Sequence, residues 1–181
     1  MMPHERPDWA TLGEPGKSIT VGRLAGLPTY LLEAVQFLPA PVEPIFEFFS
    51  DAYELEAITP PWLQFVVMHD GPLRITLGAQ INYRLRLHGI PLRWQSRISE
   101  WDPPRRFVDE QLRGPYRQWR HEHTFEPVDG GTLCRDRVHY RVTGGWLVER
   151  LLVRRSLLRI FDYRQRRLEA LFQAGTRGAA E

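Results

Sequence analysis

The residues with the most chemical potential in this chain are His121 and His123, two apart, and Asp136 further on. A histidine held by a carboxylate titrates near neutral pH and can give or take a proton, as enolisation or dehydration requires. Two histidines and a carboxylate can also hold zinc, although histidines at i and i+2 of a strand recur by chance. A third reading is bracing alone, because an aspartate inside a sheet is costly unless it is paired. His123 and Asp136 are the catalytic candidates, no catalytic role is assigned to either, and no metal or cofactor is assigned. There is no nucleophile elbow, phosphate loop or zinc-protease helix. A Ser-His-Asp arrangement would need Ser96 to reach one of the two histidines.

These side chains share a face only if the strands around them are in one particular register. Tyr116 to Glu126 and Thr132 to Val142 flank Val128-Asp129-Gly130-Gly131, and Asp-Gly is a strong hairpin signal. With Asp129-Gly130 as the turn, Trp119 faces Tyr140, His121 faces Val138, His123 faces Asp136 and Phe125 faces Cys134. On the other side Glu122 faces Arg137 and Gln118 faces Arg141. One face is then apolar and aromatic and the other pairs polar groups, so a slip of one residue would destroy both. His121, His123 and Asp136 are expected to point inward.

A second hairpin lies upstream. Ile81, Tyr83, Leu85 and Leu87 alternate with Asn82, Arg84, Arg86 and His88, and after a turn at Gly89-Ile90 Leu92, Trp94, Ser96 and Ile98 alternate with Arg93, Gln95 and Arg97. This turn sets Leu85 opposite Trp94 and Tyr83 opposite Ser96. The strand from Arg105 to Arg113 has no clear facing, since Val108 and Leu112 point one way and Phe107 the other. The inner aromatics Tyr83, Trp94, Trp119, Tyr140 and Phe161 read either as plain core or as the lining of a cavity.

Something must cover the apolar face, and the run from Trp146 to Phe172 is suited to it. It follows Gly144-Gly145, contains no Gly or Pro, and repeats Leu147, Leu151, Leu158, Phe161, Leu168 and Phe172 at helical spacing. At ~1.5 Å per residue it is roughly 40 Å long, about the length of a twelve-residue strand. One antiparallel sheet curled around this final helix is therefore the expected α+β architecture. Tyr30 to Leu38 reads as the first strand, Val42 to Ser50 and Ala52 to Ile58 as two short helices, and Phe65 to Met68 as a short strand. Residues 1–28, rich in Gly and Pro, read as an arm that Trp9 could anchor.

Lys17 is the sole lysine among 24 basic residues, and the net charge is only +2. Arginines cluster outside, at Arg84, Arg86, Arg93 and Arg97 on the sheet and Arg154, Arg155 and Arg159 on the helix. Glu122, Asp109, Glu149 and Asp162 are expected to dilute that charge, which argues for a solvated face and against a nucleic-acid partner. Cys134 is the only cysteine, excluding an intramolecular disulfide, and no run is long enough to span a membrane. A cytoplasmic location is the default expectation.

The element order, with FVDEQLRGPYRQWRHEHTFEPVDGGTLCRDRVHYRV, TPPWL before it and IFDYR after it, resembles the START-like helix-grip superfamily (SRPBCC). That superfamily includes polyketide cyclases and aromatases as well as lipid carriers. The resemblance spans about residues 30 to 172. It implies a helix-grip domain over 29–175, with a seven-stranded antiparallel sheet around the long C-terminal helix and two short helices between strands one and two. Residues 176–181 would be a flexible tail. A pocket between sheet and helix is implied, entered near the short helices. Its ligand-binding candidates are Tyr83, Leu85, Trp94, Trp119, His121, His123, Asp136, Tyr140 and Phe161. The preferred reading is a binding protein for a mostly apolar small molecule such as a lipid, isoprenoid, quinone or polyketide. The alternative is a cyclase or dehydratase using the His-Asp pair. Peripheral contact with an anionic surface and a homodimer are both compatible with the sequence.

Overall fold

The computed structural model describes residues 17–177, apart from residues 70 and 72, so Trp9 lies outside the described residues. The chain runs β1 (Lys17–Arg23), β2 (Tyr30–Leu38), α1 (Val42–Phe49), α2 (Glu54–Ala57), a 3₁₀ turn (Pro61–Leu63), β3 (Val66–Val67), β4 (Gln80–Leu87), β5 (Ile90–Asp102), β6 (Arg106–Arg113), β7 (Gln118–Val128), β8 (Gly131–Arg141), α3 (Gly145–Val148), a π-helical turn (Glu149–Val153) and α4 (Arg154–Arg177). All strands form one antiparallel sheet in the order β1-β2-β8-β7-β6-β5-β4-β3. The sheet has eight strands where seven were expected. The addition is β1, which lies within the stretch read as an arm and pairs with β2 along its whole length.

The β7–β8 register is the expected one throughout, with Trp119 opposite Tyr140, His123 opposite Asp136 and Val128 opposite Gly131. The β4–β5 register is displaced by two residues, so that Tyr83 faces Trp94 and Leu85 faces Leu92. The turn residues are His88 and Gly89, both at positive φ (51° and 82°), as a type I′ hairpin requires, and not Gly89-Ile90. A displacement of two leaves each side chain on its expected face, and Ile81, Tyr83 and Leu85 are buried. On β6 the ambiguity is resolved by the contacts: Phe107 stacks on His123 at 4.2 Å, Asp109 sits opposite His121, and Leu112 is exposed.

The final helix lies in the concave face of the sheet, but its buried stripe is not the expected one. Leu157, Phe161, Gln165 and Leu168 are buried, Leu158 is half-buried, and Leu147 and Leu151 are exposed. The π-helical turn is the physical cause, because an i→i+5 turn rotates everything before it relative to a continuous α-helix. Glu149 therefore faces inward, where it accepts hydrogen bonds from Tyr140 Oη (2.9 Å) and Arg154 Nε (3.1 Å). The two glycines before the helix both have positive φ, and a Cβ at Gly144 would come within 2.5 Å of the Val148 side chain. Further along, Gln165 Nε2 donates to Val35 O (3.0 Å) and Ser18 O (3.2 Å), and Gln36 Nε2 donates to Gln165 O (2.8 Å), fastening α4 to β1 and β2.

Two apolar clusters result. One joins α1, β4, Ile98, Phe107, Phe125, Cys134 and Leu168, and the other joins Tyr30, Leu32, Ala34, Val138, Tyr140, Leu157 and Phe161. Outside, Arg106 and Arg120 bind Glu100 and Glu122, while Arg137 and Arg135 bind Glu33. Glu122 and Arg137 are thus strand neighbours, as the register requires, yet each takes its ionic partner from elsewhere. Of the four acids expected to dilute the outer arginines, Asp109 and Glu149 face inward.

Candidate functional site

The boundary between the two clusters is polar on three successive elements. On β7, His121 and His123 lie between Trp119 and Phe125; on β8, Asp136 lies between Cys134 and Val138; on α4, Arg164 lies between Phe161 and Leu168. From β6, Asp109 joins them. The side chains of His121, His123, Arg164, Asp136 and Asp109 are 7%, 4%, 12%, 16% and 19% exposed. Five ionisable groups held this far from solvent must satisfy one another.

They do so through two carboxylates with the imidazoles between them. Asp136 Oδ1 lies 3.0 Å from His121 Nε2 and 2.7 Å from His123 Nδ1, the latter too bent for a good hydrogen bond. Asp109 Oδ2 lies 3.1 Å from His123 Nε2 and 3.6 Å from His121 Nδ1. Arg164 Nε stands 3.7 Å from Asp136 Oδ2, with its guanidinium over the Phe49 ring. The expected His123–Asp136 pair is therefore one edge of a larger network, and Asp109 and Arg164 are members that sequence reasoning missed. Ser96 reaches Asp109 Oδ1 (3.4 Å) and accepts from Trp94 Nε1 (3.0 Å), so it serves the carboxylate and is not positioned as a nucleophile.

The electrostatics separate the two histidines. Burial pushes the His121 pKa down, and the neighbouring His123 charge adds to this, outweighing its carboxylates. Burial also opposes the charged form of His123, but the hydrogen bond to Asp109 and the adjacent Asp136 carboxylate outweigh it and the pKa is raised. Burial would raise both carboxyls. Against it, Arg164 and the histidines hold Asp136 well below the ordinary carboxylate range, and His123, His121 and Arg164 lower Asp109. The two imidazoles are therefore pushed apart, and His123 keeps its proton to a higher pH than His121.

Beside this network is a cavity of about 190 Å³. That is well over ten times the roughly 10–15 Å³ needed to admit one water. Tyr83, Leu85, Trp94, Trp119, His121, His123 and Phe161 line it, as expected. Asp136 and Tyr140 do not. Asp136 lies behind the imidazoles, and Tyr140 is fully buried, stacked on Tyr30 and bonded to Glu149. Asp109, Arg164, Ser96 and Tyr116 complete the sheet and helix walls, and Leu55, Ile58, Thr59, Leu63 and Phe65 close one end. Leu63, Leu87 and Ile160 also border an outer groove with Trp62, His88 and Ser156, which places the mouth between the 3₁₀ turn, the β4–β5 tip and α4. There Ser156 Oγ donates to Leu152 O (2.9 Å) and lies 3.0 Å from His88 Nε2, while Arg159 stacks on Trp62.

The same architecture is found in solved structures. The Zhui aromatase/cyclase from Streptomyces sp. R1128 superposes with a TM-score of 0.66 at 16% identity, over 84% of this chain and 98% of that one. Protein Ms6760 from Mycobacterium smegmatis gives 0.63 at 19% identity, over 87% and 99%. Major latex-like protein 151 from Panax ginseng gives 0.62 at 15%, over 81% and 99%. At these identities the likeness is one of fold. No curated protein matches the chain in sequence. Among the described residues no helix is long and apolar enough to cross a membrane. Residues 38–169, well over half of the chain, match the family described as polyketide cyclase / dehydrase and lipid transport, and the chain belongs to that family.

Proposed function

We propose that the protein binds a mostly apolar small molecule of the lipid, isoprenoid, quinone or polyketide kind, with one oxygen-bearing end against Arg164 and His123. The observation that carries this reading is the cavity wall itself. It is aromatic and aliphatic along most of its extent and ends in a guanidinium whose Nε and Nη2 are buried without a hydrogen-bond partner among the described residues. A buried donor of this kind calls for an acceptor, and a carbonyl, hydroxyl or carboxylate entering the cavity would supply it. Native mass spectrometry of protein purified from its source should show a co-purifying apolar ligand, and adding that ligand should quench Trp94 and Trp119. Arg164→Met should weaken the binding of an oxygenated ligand more than that of its hydrocarbon analogue. Equal weakening would remove the proposed orientation, and a cavity that takes up neither would remove the function.

A second reading is cyclase or dehydratase chemistry. It is favoured by two imidazoles on one cavity wall whose proton affinities are pushed apart, His123 up and His121 down, an acid and a base in contact with the same space. The Zhui protein, a structural neighbour, is an aromatase/cyclase. Turnover of a poly-β-ketone that is lost in a folded His123→Gln variant would establish it. Binding without turnover would leave the first reading.

For exchange with a store of apolar ligand, we infer docking on an anionic bilayer through the start of the final helix. Trp146, Leu147, Leu151 and Leu152 are all about half exposed or more there, and Arg23, Arg117, Arg150 and Arg155 are exposed on the same end of the molecule. The acid within this stretch, Glu149, is buried. An apolar projection within a cationic rim fits anionic headgroups. Co-sedimentation with phosphatidylserine vesicles should fall with salt and in Leu151→Asp. Absence of binding at low salt would end the idea.

A further inference from the structure

We propose that Asp109, His121 and His123 form a binding site for a divalent first-row transition metal, open to the cavity. Each of the three offers one ligand atom, all within 4.8 Å of one another, and Asp109 Oδ2 faces His121 Nδ1 and His123 Nε2. Tetrahedral zinc with bonds of about 2.0–2.1 Å places its ligand atoms about 3.3 Å apart. The carboxylate oxygen already stands 3.1 Å from one imidazole nitrogen and 3.6 Å from the other, each within a few tenths of an ångström of that spacing, and the third edge, between the imidazoles, is at most 4.8 Å and closes by rotation of the rings.

Three further features distinguish the site from a chance cluster. The three donors all line the cavity, whereas Asp136 does not, so a fourth coordination position would open towards a bound molecule. Asp136 is the outer partner: it is hydrogen-bonded to His121 Nε2 and lies beside His123 Nδ1, the two nitrogens that would not touch the metal. A carboxylate accepting from the far nitrogen of a metal-ligating histidine fixes both its orientation and its tautomer. Two imidazoles also favour zinc, cobalt, nickel or ferrous iron over magnesium or calcium, which prefer oxygen. The inference does not depend on which small molecule the cavity accepts.

The experiment is titration of chelator-treated protein with Zn²⁺ by calorimetry in buffers of different ionisation enthalpy, with Co²⁺ as a spectroscopic probe. One metal per chain and visible Co²⁺ bands of four- or five-coordinate form are expected. Asp136→Asn should weaken Zn²⁺ roughly 10- to 100-fold without changing the stoichiometry, and Asp109→Asn should weaken it at least as much. Because variants here are at risk of not folding, ¹⁵N spectra of the wild-type imidazoles supply a second reading. Zn²⁺ should move His121 Nδ1 and His123 Nε2 and leave the other four histidines in place. Shifts confined to those four, affinity unchanged in Asp109→Asn, or no binding at millimolar Zn²⁺ would each overturn the proposal.

Discussion

Replacing Asp136 by asparagine tests the central arrangement, because it removes one charge and almost no volume. In the wild type this carboxylate faces His121 Nε2, His123 Nδ1 and Arg164 Nε, at 3.0, 2.7 and 3.7 Å. Breaking a buried ionic group by removing one member costs about 3–5 kcal/mol, because the opposite charge stays buried without its partner. Asparagine can still accept from one imidazole, so the expected loss is at the lower end, about 3 kcal/mol. For a domain of this size that corresponds to a melting temperature lowered by roughly 6–12 °C. The assay is urea denaturation with unchanged m, repeated at about pH 5, 7 and 9. The folded-state pKa of Asp136 is depressed, so its contribution is present above the unfolded carboxylate value and lost as pH falls through the folded one. The deficit of the variant should therefore be present above the unfolded carboxylate value and shrink in acid. It should narrow as pH rises through the raised pKa of His123, since the imidazolium partner then disappears. A change within about 0.5 kcal/mol at every pH, as at ordinary surface positions, would refute the buried network.

In ¹⁵N-detected titrations His123 should remain charged at pH values where His121 is already neutral, and the reverse order would invalidate the electrostatic assignment. The linked stabilities oppose each other: the His123 contribution is lost as pH rises through its raised pKa, and the His121 contribution is lost as pH falls through its lowered one. Gln165→Leu leaves the Val35 and Ser18 carbonyls without their side-chain donor and should cost about 1–3 kcal/mol by chemical denaturation, with increased hydrogen exchange in β1. Gly144→Ala should destabilise by about 1–3 kcal/mol, because φ is +94° and the added Cβ would meet Val148; a neutral result would mean that the turn before the helix can relax.

The parts of the fold visible in the sequence are those where a local signal fixes a long-range pairing. Asp129-Gly130 sets the register of β7 and β8, and with it the inward placement of both histidines and Asp136. The β4–β5 turn lies one residue earlier than expected because His88, and not Ile90, takes the positive φ beside Gly89, a choice that alternation alone cannot make. Asp109 was hidden by the register shifts between β5 and β6 at Gln95/Ser96 and Ile98/Glu100, which prevent facing from being carried from one strand to the next. The signal that would have found it is the alternation of Phe107, Asp109 and Gln111. Arg164 was hidden by its residue type: with Gln165 it lies three and four residues after Phe161 and just before Leu168, on the stripe expected to be buried, but a charged side chain there gives no hydrophobic signal of burial.

The position of the network bears on its purpose. Buried ion groups are a poor way to hold elements together, since apolar side chains of similar volume are often equally stable or more so. Phe107, Phe125 and Leu168 on one side and Val138, Leu157 and Phe161 on the other could have met across an apolar layer without altering the strand order. Instead β6, β7, β8 and α4 each contribute an ionisable group at the same level, and four of the five open onto the cavity while Asp136 stands behind them. A brace would need the charges to be satisfied but not exposed to an internal space. A site needs both, with an outer carboxylate to fix the tautomers of the groups that meet the ligand. The arrangement of these five side chains matches the second requirement. In the proposed binding role, the apolar remainder of the wall would select the body of the ligand and the charged end its polar terminus.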